Sequence, residues 1–493
     1  MDSTKIFLLI IGNIINIALS LIFFYLIRIL FVVEIVGYYG VILSFLTTFS
    51  LITDLGIQLA YLKFYGEAKN SDEEALYNGT FLTFRTFQFA IYTIFVLAFI
   101  PIAPTYEGNI FVGYYFFIAM SFFRVEFFQQ VFLSKKEVFK NSLCSLIMML
   151  LRNILLILSI FFFEFDIWLL MNIILLSNIS HFILSLFFLR KRKFKKPNQE
   201  LIIRFFKYSF PFFFTNSLLF IVSNIDVLLI NTWSSIDNVA NYYTAKQFFY
   251  YFLIISNSIS NVLITTFSKN ISNGRVKDNI EIINYTHRFL NLILLPIVFI
   301  VYLYAPGFFV LLFGNEYRLT GQILFIFVLL LIPISLDIGN VVQLQALGEI
   351  RFIAKFSVLE NVLSILFMIF FISPSFLNLD VFGGAISYLI AKIVTQIIYR
   401  PIIYKRFNLG FYWGSFRNLV IMFGIFLFQL WVNISFSFPF YFIPLFIIID
   451  IFLYLSINFL LKGFTKTDLK FLLSIINIKT IYSSIVSELK NKD

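Results

Sequence analysis

Charge is what this sequence has least of. Of its 493 residues 13% are charged and 60% apolar, whereas a soluble domain carries roughly 25% charged residues. So few charges cannot coat a water-exposed exterior, which excludes a water-soluble globular protein. Cysteine is nearly absent. Cys144 stands alone, so neither a disulfide framework nor a thiol metal cluster is available, and its apolar surroundings read as packing. The two histidines, His181 and His287, fall in different segments; the first is expected as a satisfied polar residue within a span, the second at an interface. No Ser/His/Asp or metal constellation can be built from them. A Gly-rich phosphate loop of the form GxxxxGK followed by Ser or Thr is also missing, so the chain is not expected to hydrolyse ATP. No cofactor is expected.

Long apolar runs are what the sequence has instead. They fall at about 6–30, 36–59, 78–102, 109–133, 142–163, 166–189, 209–231, 240–266, 286–305, 320–346, 352–373, 382–404, 414–435 and 438–461, each near the roughly 20 residues that a spanning helix needs. The first run is too long for a signal h-region and no small-residue cleavage site follows it, so Met1 onward is expected to be retained. Aromatic residues, 70 Phe and 26 Tyr among them, cover all the runs without a stripe that marks a binding face. Prolines 211, 296 and 333 lie inside runs and are expected to bend helices.

The net charge of +11 would suggest nucleic acid in a soluble protein, but here it is topological and no nucleic-acid partner is expected. Lys and Arg cluster in the even-numbered loops: Lys63 and Lys69; Lys135, Lys136 and Lys140; Arg190 to Lys196; Lys269 to Arg288; Arg351 and Lys355; Arg400 to Arg417. The odd-numbered loops carry none, apart from Arg28 and Arg318 on that side. Positive flanks resist translocation, so both termini are expected to be cytoplasmic.

The run Arg190-Lys-Arg-Lys-Phe-Lys-Lys-Pro197 reads as an interlobe linker that doubles as a positive-inside anchor on anionic lipid. On either side of it the chain repeats. Glu34-Ile-Val-Gly-Tyr-Tyr39 resembles Asp237-Asn-Val-Ala-Asn-Tyr242, and Leu151-Arg-Asn-Ile-Leu-Leu-Ile-Leu158 resembles Leu359-Glu-Asn-Val-Leu-Ser-Ile-Leu366. Two six-helix halves related by an axis along the membrane normal would give this pattern. The expected domains are an N-terminal lobe at 1–189, a basic linker at 190–208, a C-terminal lobe at 209–406, two further helices at 407–461 and a cytoplasmic tail at 462–493.

Gly37-Tyr-Tyr, Thr53-Asp-Leu-Gly56, Lys207-Tyr-Ser-Phe-Pro-Phe212, Ser223-Asn-Ile-Asp226, Leu311-Leu-Phe-Gly-Asn-Glu-Tyr317, Ala346-Leu-Gly348 and Phe382-Gly-Gly-Ala-Ile386 resemble the polysaccharide flippases in order and spacing over nearly the whole chain. That family includes the O-antigen flippases and belongs to a larger group with the lipid II flippases and the multidrug and toxin extrusion transporters. The resemblance implies an inner-membrane protein that carries undecaprenyl-pyrophosphate-linked oligosaccharide to the outer leaflet by alternating access. The expected fold class is therefore an all-α integral membrane transporter of about 14 helices, in two pseudo-symmetric lobes plus two C-terminal helices. Partners would be the lipid-linked oligosaccharide, membrane lipids and the polysaccharide polymerase and chain-length machinery; a coupling ion, H+ or Na+, is left open.

Ionisable groups at membrane depth cost about 2.5–3.5 kcal/mol each on insertion scales, so they should face an interior cavity or one another. The candidate substrate-binding cations are Arg152, Lys392, Arg124, Arg85 and Lys246; the candidate cavity or coupling carboxylates are Glu360, Glu126, Asp226, Asp337 and Asp54, with Asp450 beside them. A pyrophosphate crossing hydrocarbon needs fixed positive charge, and Arg offers a bidentate fork for it. The alternative for each is a packing ion pair, as for Asp226 with Lys246 or an interfacial role for Asp54. The repeat puts Arg152 and Glu360 at equivalent positions, where they could face each other across a central cavity. Two other functions remain open: a multidrug or cation exporter of the same architecture, and a membrane glycosyltransferase or polymerase, which the short outer loops disfavour.

Overall fold

A backbone in hydrocarbon has no water to bond to, so a chain this apolar must satisfy its amides within helices. The computed structural model describes residues 3–53, 57–66, 68, 70–98, 131–132, 138–190, 192–272, 276–409, 413–435 and 443–461, and every regular element among them is helical. Among the described residues seven helical stretches are long and apolar enough to cross a membrane, and three shorter apolar ones, Ile15–Leu30, Val33–Phe45 and Leu445–Leu460, join them. The protein is an all-α, multi-pass membrane protein, as its apolar runs require.

The described residues up to Leu228 form one compact unit. It contains α1 (Ser3–Leu30), α2 (Val33–Thr53), α3 (Ile57–Gly66), α4 (Ser71–Ala98), α5 (Val138–Ser159), α6 (Ile167–Leu189) and most of α7 (Gln199–Trp233). Helix α1 packs along α5, and α5 along α6. The start of α6 is set by Asp166, whose carboxylate accepts the Leu169 amide at 2.7 Å and satisfies an orphan donor of the first turn.

The residues from Leu229 form the second unit. It contains α8 (Ile236–Ser272), α9 (Val276–Phe313), a 3-10 turn (Asn315–Tyr317), α10 (Arg318–Leu329), α11 (Leu331–Ala346), α12 (Ile350–Ile372), α13 (Asp380–Phe407), α14 (Gly414–Ser435) and α15 (Ile443–Leu460). Helices α12 and α13 form a closely packed hairpin, while α9 gathers α10, α11, α14 and α15 around it. Gly383 and Gly384 make two close approaches possible: a Cβ at 383 would stand 2.8 Å from the Phe371 backbone, and one at 384 would stand 2.7 Å from the Tyr242 hydroxyl.

The structure departs from the hydropathy pattern in several places; helices α7 and α8, for example, outrun their apolar runs at 209–231 and 240–266. Residues 57–66, expected partly as loop, form α3 because Tyr61, Phe64 and Tyr65 fall on one face and bury against α4 and α7. The run 320–346 breaks at Leu330 into α10 and α11; Pro333 has no amide to give the Leu329 carbonyl, which removes a bond at the joint. Helix α9 is longer than its apolar run and carries Pro296 and Pro306 without interruption. His287, near the start of that run, is 1% exposed among packed helices, and the helix continues past the apolar run that ends at about 305 to Phe313. Most of the run at 109–133 lies outside the described residues.

The basic linker is strapped to the first unit. Lys195 donates its amide to the Ala75 carbonyl at 2.8 Å and its ammonium to Asp72 at 2.7 Å, while Asn78 donates to the Lys193 carbonyl at 3.3 Å. Gly79 permits this, because a Cβ there would stand 1.7 Å from the Lys195 carbonyl oxygen. The Lys195 ammonium, bonded to Asp72, lowers that carboxyl below its ordinary value. Underneath, Tyr61 donates to Asn78 at 2.7 Å and Tyr65 to Glu74 at 2.9 Å; burial, with the Glu74 carboxylate next to it, raises the Tyr65 phenol.

Candidate functional site

Arg152 projects from α5 toward α6. Its Nε donates to the Ser177 hydroxyl at 3.1 Å and an Nη to the Asn178 carbonyl oxygen at 3.2 Å, and the guanidinium lies 5.3 Å from the Phe23 ring centroid. These named contacts are neutral, so they fix the fork in space without cancelling its charge. A guanidinium positioned by neutral partners among the described residues is suited to phosphate oxygens.

In the second unit the chemistry is different. Lys392 on α13 donates to Glu360 on α12 at 2.9 Å, and both side chains are about a quarter exposed, at 20% and 28%. They line a cavity of about 90 Å³ together with Asp337, Ser357 and Tyr399, walled by Val341, Leu344, Phe352, Ile353, Phe356 and Ile403. That volume holds a few waters, since one needs roughly 10–15 Å³, and is far too small for a saccharide. Asp337 is 3% exposed and its side chain bonds Gln396, but among the described residues its Oδ1 has no hydrogen-bond partner, and neither has the Tyr399 hydroxyl. Lys392 and Arg400 both act electrostatically on Asp337, and Arg400 donates to the Leu336 carbonyl at 3.2 Å.

The other candidates are spread through the fold. Lys246 is 4% exposed, with its ammonium 5.9 Å from the Tyr388 ring centroid. Asp226 is fully buried and accepts the Val227 amide at 2.8 Å. Arg85 lies over Phe81, 5.3 Å from its centroid, and Asp450 on α15 is buried. Arg124, Glu126 and Asp54 lie outside the described residues. Cys144 is buried in the aromatic core of the first unit. Among the described residues no three His, Cys, Asp or Glu side chains come together as metal ligands.

A buried polar knot escaped a search for ionisable groups because its members are neutral. Asn291 on α9 donates to Ser415, accepts from Ser335, and its carbonyl accepts from Tyr454 at 3.1 Å, which joins four helices. Gln396 donates to the Pro333 carbonyl at 2.7 Å and Asn241 holds Thr320 and the Glu316 carbonyl. The legible signal was a single Asn, Gln or Tyr within an apolar run, where an unbonded amide is costly.

Three solved transporters share this fold. The lipid II flippase MurJ in an inward closed conformation aligns with a TM-score of 0.71 and 15% identity, covering 91% of this chain and 97% of its own. A multidrug resistance MATE family transporter of the MOP superfamily aligns in its inward-facing conformation with a TM-score of 0.66 and 15% identity, over 82% and 98%. An outward-facing MATE structure aligns with a TM-score of 0.58 and 15% identity, over 83% and 96%. No curated protein sequence is significantly similar. The sequence profile described as "Polysaccharide biosynthesis protein" matches residues 25–322, more than half of the chain. With that match added to an all-helical membrane fold, the chain belongs to the polysaccharide biosynthesis protein family.

Proposed function

We propose that this protein is a flippase that carries a polyprenyl-pyrophosphate-linked oligosaccharide, the repeat unit of an O-antigen or exopolysaccharide, across the plasma membrane by alternating access. Arg152 carries the reading, because a guanidinium held by neutral partners at membrane depth keeps its charge for an anionic headgroup. Lys392, Lys246, Arg85 and Arg124 are secondary cations; Glu360, Asp337, Asp226, Glu126 and Asp54 are carboxylates that pair with them or respond to a coupling ion. No catalytic step is assigned, and both termini are cytoplasmic. A polysaccharide polymerase and its chain-length partner would consume the product.

The experiment is headgroup-dependent transfer in proteoliposomes, using fluorescent polyprenyl-pyrophosphate glycan and a membrane-impermeant quencher. Transfer of that lipid, lost in Arg152→Ala at unchanged protein abundance, supports the reading. Transfer of lipophilic cations with no effect of the glycan lipid would support an exporter instead. Orientation is checked separately: a reporter fused after Lys196 should read cytoplasmic and one after Ile236 external, and the opposite pair overturns the topology.

A further inference from the structure

Two carboxylates and one ammonium line the cavity of the second unit, and the carboxylates sit on different helices. Glu360 belongs to α12, which packs along α13, the helix of Lys392. Asp337 belongs to α11, which touches that hairpin more sparingly and is separated from α10 by the break at Leu330. Glu360 holds the ammonium at 2.9 Å, whereas the Asp337 Oδ1 is buried with no hydrogen bond. A carboxylate oxygen without a hydrogen bond in an apolar wall is costly even though Gln396 bonds the same side chain, and the flexible ammonium that shares the cavity and already acts on Asp337 electrostatically is a means of relieving it. The cavity, about 90 Å³ and shared by all three groups, gives a four-carbon stem room to swing.

We propose that Lys392 is a tethered cation with two berths, Glu360 on α12 and Asp337 on α11, and that its transfer between them is a two-position switch inside the second unit. With the ammonium on Glu360 the ion pair lies within the α12–α13 hairpin, and α11 is tied to α13 through its backbone carbonyls, Gln396 to Pro333 and Arg400 to Leu336. With the ammonium on Asp337 the bond runs from α13 to α11, which locks the segment beyond the Leu330 joint. Two arrangements of one ion pair are a discrete, bistable element. Arg400 keeps a positive charge near Asp337 in both positions, and Tyr399 and Ser357 offer hydroxyls along the path. The switch takes up residues of the transport reading, but its test is made on purified protein without substrate, so either can fail while the other stands.

The test has two arms, both read as the thermal unfolding midpoint in one detergent. If each carboxylate can take the ammonium, Glu360→Gln and Asp337→Asn should each lower the midpoint by a few degrees, and the double variant by clearly more than their sum, on the order of 10 °C. In Lys392→Ala, ethylammonium at tens of millimolar should restore at least half of the lost midpoint, while tetramethylammonium, which cannot donate hydrogen bonds, should not. Wild type should respond to neither amine. If Glu360→Gln alone is as destabilised as the double variant, Asp337 is no berth and the proposal falls. It falls equally if ethylammonium leaves Lys392→Ala unchanged, and if that variant does not fold, the carboxylate comparison decides alone.

Discussion

The two units bridge a pair of neighbouring helices in opposite ways. In the first, α5 reaches α6 through Arg152 and the neutral side chains of Ser177 and Asn178. In the second, α12 reaches α13 through Glu360 and the cation Lys392. The sequence resemblance of 151–158 to 359–366 sets Arg152 beside Glu360, residues of opposite charge. The difference teaches what each can do: a cation fixed by neutral groups remains available to an anion, whereas a cation bonded to a carboxylate must first be released. Arg152 is therefore the better candidate for a headgroup ligand, and Lys392 for a moving part.

Removing the cation held by neutral groups should produce the largest effect. Arg152→Ala forfeits about two charge-assisted hydrogen bonds to an anionic headgroup, worth roughly 3 kcal/mol or more, so transfer should fall at least about 100-fold with abundance unchanged within about twofold. Arg152→Lys should recover only part, because a point charge replaces a planar fork. Parallel loss of abundance and transport would instead make Arg152 a packing residue.

Breaking the paired site should cost stability before activity. Glu360→Gln and Lys392→Met each leave a partner at a half-buried position; with solvent screening the cost is about 1–2 kcal/mol rather than the roughly 3–5 kcal/mol of a fully buried pair. The double variant Glu360→Gln with Lys392→Met should recover much of that loss in thermal unfolding. If the double is as unstable as the sum of the singles, the two residues are not coupled.

A further expected effect is local to the linker of the first unit. Gly79→Ala places a methyl against the Lys195 carbonyl backbone, an overpacking cost of about 1–3 kcal/mol. Limited proteolysis should then cut near Lys193 to Lys196 sooner, with the second unit's unfolding unchanged. Equal cutting rates would mean that the strap relaxes without detaching.

The smallest effect is a pH response of that strap. Asp72 is depressed in the folded protein by its bond to Lys195, so its contribution is fully present above the unfolded carboxyl value, about 3.9, and is lost as pH falls through the lower folded value. Linker proteolysis should therefore be flat from pH 7 to 5 and rise only in acid, while Asp72→Asn should show the faster cutting at every pH. An onset near neutrality would point to another group.

Much of the fold was legible because hydrocarbon imposes a one-dimensional rule: about 20 apolar residues with charged flanks make a span. The rule misses what packing decides. Helix α3 has too little hydrophobicity to register as a span, yet its aromatic face folds it onto α4. Run 320–346 reads as one helix, yet Pro333 and the Gln396 amide divide it. Ionisable residues within the spans announced themselves by their rarity, and Arg152 in the first unit and Lys392, Glu360 and Asp337 in the second were all visible for that reason. Their partners were not, because pairing depends on helix rotation and on which helices pack together.

The sequence by itself determined a helical, multi-pass membrane protein and the short set of ionisable residues within its apolar runs, since both follow from composition and spacing. Only the tertiary structure decided that Glu360 takes Lys392, that Arg152 rests on Ser177 and Asn178, that Asp337 keeps a buried oxygen without a hydrogen bond, and that the linker lies along α4. Those outcomes depend on angstrom-scale distances between packed helices, where a rotation of one residue, about 100°, would exchange every partner.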